Sequence, residues 1–246
     1  MIANRFYRLL ASAVTTIGFM LLLVALTPNH GSSRILVMMG GTMPEGLIQG
    51  FTYFLFFFGM LEVLWLNSKL TREYDAFSAH LLPEKDNWVL SAEDAGTLKL
   101  KMQSLTHTHA YQMTDLIKKA CTQYRLSKSS AEALAIIDAQ IRNYQAEIES
   151  EQSFIRYTAW AIPSVGFIGT VIGIAASLGY AKDAASQEGI NKVTDMLAVA
   201  FDTTLVALIL SIMLMYGIHY LQKREEALYA KMNTYLIENL INRFYK

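Results

Sequence analysis
Two carboxylates and a set of short hydroxyl side chains lie inside stretches that are otherwise apolar. Asp202 interrupts "MLAVAFDTTLVALILS" and Glu62 interrupts "GMLEVLWLNSK". An ionised carboxylate facing hydrocarbon is costly, so Asp202 must face protein or water, or carry a proton. Two roles fit it: a structural hydrogen bond, for instance to a neighbouring subunit, or a direct part in an ion path. Glu62 lies beside Trp65 near the end of its apolar run, where it can snorkel to water.

The stretch "AIPSVGFIGTVIGIAAS" carries Gly166, Gly169, Thr170, Gly173 and Ser177 where a simple anchor would carry leucine. Small residues at this helical spacing let backbones approach closely in lipid, and a hydroxyl in such a groove can also contact water or an ion. Pro163 removes a backbone donor, frees a carbonyl and permits a bend. In the second stretch, at about 100° per residue, Ala200, Thr204, Ala207 and Ser211 share one small, partly polar face. Asp202 and Asp195 lie nearly opposite them.

Other chemistries find no support. There is no P-loop, no GxSxG, no zincin motif and no paired-cysteine site, so neither an enzyme nor a cofactor is expected. His107 and His109 form an HxH without companion ligands, so no metal site is expected, and His219 reads as interfacial. The single Cys121 excludes an internal disulfide and reads as a packed thiol. A net charge of zero, with no basic and aromatic patch, gives no reason to expect nucleic acid.

The elements that hold these residues follow from hydropathy. The 246 residues are 53% hydrophobic and 17% charged, with the apolar residues gathered in blocks. Four blocks, at about 9–27, 47–66, 157–180 and 196–221, reach the ~20 helical residues needed to cross a ~30 Å hydrocarbon core. The fold class is therefore all-α: a polytopic membrane protein with four transmembrane helices. Arg5 and Arg8 ahead of the first block resemble the start of a signal peptide. The run is long for one, however, and no small-x-small cleavage site follows, so the helix is expected to be retained.

Lys and Arg avoid the outer side of a bilayer. Two precede block one, only Arg34 lies between blocks one and two, and only Lys182 and Lys192 lie between three and four. Eleven lie between blocks two and three, and five follow block four. Both termini are thus expected in the cytoplasm. The chain divides into residues 1–66 (two spans and a short outer loop), 67–156 (a cytoplasmic helical segment), 157–221 (two further spans) and 222–246 (a cytoplasmic C-terminal helix). Ser91 with Asp94 resembles a helix-capping motif. The run 131–156 lacks Gly and Pro, and Leu134, Ile137, Ile141, Tyr144 and Ile148 recur at threes and fours. One helix should therefore run from this segment into block three. Block four should likewise continue to the C-terminus, so that two long helices build a cytoplasmic bundle.

"IPSVGFIGTVIGIAASL", followed by "MLAVAFDTTLVALILSI", resembles the paired pore-helix signature of the MotA/TolQ/ExbB proton-channel family. The matching positions are Pro163, Gly166, Gly169, Thr170 and Gly173, then Thr204 with Ala207. Ala207 stands where glycine is common, and Val199 stands where ExbB and TolQ carry a glutamate. The resemblance implies an ion-conducting stator subunit of a motor in the bacterial inner membrane, moving protons or sodium ions. It implies a homopentamer around two copies of a single-span ExbD-, TolR- or MotB-like partner with a membrane aspartate. The ion-path role carries over to Thr170 and Thr204, with Thr203 adjacent. Four spans with a short first outer loop look more like the flagellar stator arrangement than the three-span one. The competing readings are a non-conducting membrane scaffold, in which the small-residue faces serve packing only, and an independent transporter. The latter is disfavoured by the lack of an inverted repeat or broken helix.

Overall fold
The computed structural model describes residues 2–27, 34–41, 46–83, 89–108, 111–180 and 186–244. Among the described residues seven α-helices follow in order: α1 (Ile2–Leu26), α2 (Arg34–Met38), α3 (Leu47–Ser78), α4 (Ala92–Thr108), α5 (Gln112–Ser127), α6 (Ser130–Tyr180) and α7 (Gln187–Asn239). A 3₁₀ turn, Ile241–Arg243, closes the described chain. Helices α1, α3, α6 and α7 are long and apolar enough to cross a membrane. Among the described residues there is no strand, only one isolated bridge between Leu90 and Phe244.

The continuous helix expected through 131–180 is present as α6, with Pro163 inside it. Helix α7 starts at Gln187, ahead of the apolar block, because the polar "QEGINKVTD" contains no breaker strong enough to delay it. It ends at Asn239 rather than at the last residue. The five-residue α2 was not anticipated.

Two compact units divide the chain: Met1–Leu64 with Gln152–His219, and Trp65–Glu151 with Tyr220–Lys246. In the first, Met20, Leu23, Tyr53 and Val206 form a buried cluster from α1, α3 and α7, joined by Leu36, Met38 and Met39. Phe19 meets Tyr53 and Phe57 edge-on, at centroid distances of 4.9 and 5.8 Å. Helix α2 thus docks through apolar side chains, and Tyr53 donates a hydrogen bond to the Met39 carbonyl at 3.0 Å.

In the second unit, Ile137, Ile141 and Ile148 of α6 are buried, as their spacing requires. Ser91 and Asp94 cap α4 reciprocally: the Asp94 amide donates to Ser91 Oγ at 3.2 Å and the Ser91 amide to Asp94 Oδ2 at 3.0 Å. The N-terminus of α5 is capped from α3, where Glu73 Oε2 accepts the Gln112 amide at 2.8 Å. Lys118 and Lys119 both reach Asp115 at 2.8 Å, and Tyr144 donates to it. Burial alone would raise the Asp115 pKa, but these three donors outweigh it and hold the carboxyl down at about 2. Burial pushes the Cys121 thiol up to about 12, as expected of a packed, unreactive cysteine.

Candidate functional site: the α6–α7 seam
Pore-helix candidates α6 and α7 run antiparallel within the first unit and meet along their small faces. A β-carbon at Gly166 would lie 2.5 Å from Cβ of Ala207, and one at Gly173 would lie 2.7 Å from Cβ of Ala200. Only glycine fits at either place, because the facing alanine methyl leaves no room for another. At Gly169 a β-carbon would meet Thr203 Oγ1 at 2.6 Å.

This closeness brings side-chain hydroxyls of one helix to backbone carbonyls of the other. Ser211 donates to Ala159 O at 3.0 Å and Thr204 to Gly166 O at 3.0 Å. In the opposite direction, Thr170 donates to Ala200 O at 2.9 Å and Ser177 to Val193 O at 3.2 Å. Two rungs come from each helix. Their spacing on α7 (211, 204, 200, 193) matches that on α6 (159, 166, 170, 177): steps of seven, four and seven residues. That register keeps every rung on one stripe of each helix, as in near-antiparallel packing with a repeat close to 3.5.

At the centre, the Thr170 and Thr204 hydroxyls also touch each other. The two hydroxyls hold two protons, while Ala200 O, Gly166 O and the facing hydroxyl offer three acceptors. If both protons go to carbonyls, two oxygens face each other with lone pairs alone. If one lies between the oxygens, Thr203 Oγ1 still donates to Ala200 O at 2.8 Å, so the carbonyl keeps a hydroxyl donor. Both side chains are half-buried, and together they form an uncharged oxygen cluster. Thr203 is buried behind it, 2% exposed, and its Oγ1 lies 2.8 Å from Ala200 O and 3.3 Å from Gly166 O.

Asp202 is not brought to this pair. It shares a face of α7 with Val206 and Leu210, which pack into the cluster built by α1, α2 and α3. Its carboxylate takes both arms of the Arg34 guanidinium, with Nη1 to Oδ2 and Nη2 to Oδ1 each at 2.8 Å. Glu62 is 2% exposed and does not snorkel to water. It is held instead by Arg8, with Nε to Oε1 at 2.9 Å and Nη2 to Oε2 at 3.1 Å. Each carboxylate inside an apolar span therefore has a bidentate arginine partner of the same chain, a geometry suited to burying charge. Neither partner was identified from the sequence. The one available sign was position: Arg34 is the only basic residue between the first two apolar blocks. His109, and the side chain of His107, lie outside the described residues.

Residues 109–234 match the model of the MotA/TolQ/ExbB proton channel family. The chain belongs to that family. The match covers all of α6 and α7 as far as Thr234, including every rung of the seam, and stops short of Arg8, Arg34 and Glu62. No curated protein and no solved structure matches the chain. Four apolar helices and membership of the MotA/TolQ/ExbB family make this a multi-pass membrane protein of a proton-channel family.

Proposed function
We propose that this chain is the ion-conducting stator subunit of a proton- or sodium-driven motor in the bacterial inner membrane. It assembles as a homopentamer around two copies of a single-span ExbD-, TolR- or MotB-like partner, with both its termini and its helical bundle in the cytoplasm. Thr170 and Thr204 line the ion path, Thr203 backs them, and Gly166, Gly169, Gly173 and Ala207 set the helix approach that forms the groove.

The observation that carries this reading is the contrast between the two kinds of polar group. The threonine pair is uncharged and half-buried, and its hydroxyls reach each other as well as carbonyls of the opposite helix. Both in-span carboxylates are already neutralised by arginine, so the group that takes up and releases the ion comes from the partner's aspartate. Asp202 then serves as the counter-ion of Arg34 rather than as the carrier. A membrane potential supplies about 2.3 kcal/mol per charge per 100 mV, sufficient to drive mechanical work.

The test is ion uptake by membrane vesicles that contain the chain and its partner. Thr170→Val and Thr204→Val are expected to reduce uptake to background while the complex keeps its size on native gels. Full uptake in both variants would end the ion-path assignment and leave a scaffold held together by small-residue packing.

A further inference from the structure
Pro163 lies inside α6 and cannot donate the backbone hydrogen bond that residue 163 would give to the carbonyl four residues earlier, Ala159. A carbonyl without a donor inside an apolar helix pair is destabilising. The structure fills this vacancy from the neighbouring helix: Ser211 Oγ donates to Ala159 O at 3.0 Å. Ser211 is half-buried on the face of α7 that carries Thr204 and Ala207, the face turned toward α6.

We infer that Ser211 is a positioning residue: it replaces the hydrogen bond that Pro163 deletes, and so fixes the register of α6 against α7 one heptad away from the threonine pair. The step from Ala159 to Gly166 on α6 equals the step from Ser211 to Thr204 on α7. Locking the first contact therefore sets the second. Without that lock, the segment of α6 around Pro163 is free to bend, and no hydrogen bond on its side of the Gly166–Ala207 approach ties it to α7. The inference goes beyond close packing, because it assigns a specific acceptor to a specific hydroxyl and explains why a proline and a serine 48 positions apart belong together. Its link to conduction rests on the function proposed above.

A double-mutant cycle tests it on the full chain purified in detergent, read by thermal unfolding. Ser211→Ala in the wild-type background orphans the Ala159 carbonyl and is expected to lower the midpoint by about 2–4 °C. Ser211→Thr keeps the hydroxyl and is expected to restore it. In Pro163→Ala, the backbone amide of residue 163 satisfies Ala159 from within the helix, so adding Ser211→Ala has no further effect. Ion uptake with the partner present follows the same pattern: reduced in Ser211→Ala, restored in Ser211→Thr, and no lower in the double variant than in Pro163→Ala alone. Equal losses from Ser211→Ala in both backgrounds, or a Ser211→Ala protein that melts and conducts as wild type, would overturn the inference. If wild type conducts no ions, the proposed function fails, while the thermal cycle still decides the role of Ser211.

Discussion
The α6–α7 seam and the flank where α1 meets α3 and α2 meets α7 face the same difficulty, polar groups inside apolar helices, and meet it in opposite ways. The seam uses short neutral hydroxyls, each lent to a carbonyl of the other helix. The flank uses full charges, each closed by a bidentate arginine. A neutral rung is worth about 1 kcal/mol and can change acceptor at little cost. A buried ion pair contributes little net stability, yet losing one partner leaves a stranded charge. The seam can therefore rearrange its hydroxyl protons at small cost, whereas the flank is suited to hold still.

That contrast can be broken most severely at Arg8. Arg8→Ala leaves the Glu62 carboxylate buried and alone, and is expected to cost about 3–5 kcal/mol in denaturant unfolding. Arg8→Met with Glu62→Leu should recover most of it. If the single variant is as stable as wild type, the flank is not a charge clamp. Arg34 is more exposed at its side chain, 62% against 6% for Asp202, so Arg34→Ala should cost less, about 1.5–3 kcal/mol. Asp202→Asn sharpens the division of labour: folded protein should keep its ion uptake across the pH range. A clear loss of uptake without loss of assembly would move Asp202 into the ion path.

On the seam, Gly166→Ala is expected to cost about 1–3 kcal/mol by overpacking against Ala207. Ala207→Gly in the same chain should relieve it, and a failure of that rescue in thermal melts would contradict the helix approach described. The smallest effect lies in the second unit, where water shares the work. Asp115 has its pKa lowered to about 2, below the usual value near 4, so its contribution is present above pH ~4 and fades as the pH falls toward 2. Wild type and Asp115→Asn should thus differ in melting at neutral pH and converge in acid. A gap that stays constant with pH would remove Asp115 from the account.

Local patterns carried much of the architecture. The Gly- and Pro-free run from Ala131 leads into the third apolar block as one helix, and the periodic isoleucines of α6 are buried. Gly166, Gly173 and Ala207 announced a close approach that the structure shows. What sequence could not show was pairing at a distance. Arg34 and Asp202 are 168 residues apart and Arg8 and Glu62 are 54 apart, so snorkelling was the local reading for Glu62. Helix α2 escaped for a related reason: five residues do not sustain a periodicity, and it is held by Met20, Tyr53 and Val206 from elsewhere in the chain. The vacancy at Ala159 was legible from Pro163 alone, but its donor required knowing which residue of α7 lies opposite.

The reciprocal rungs of the seam have a mechanical consequence. Because each helix donates two and accepts two in steps of seven, four and seven, sliding α7 by one residue would swing every donor away from its carbonyl together. The pair resists creep as a toothed rack does, because a one-residue slip disengages every tooth at once. Motion passed into this part of the molecule must therefore carry α6 and α7 as a single strut, and any yielding has to occur where that strut meets its neighbours.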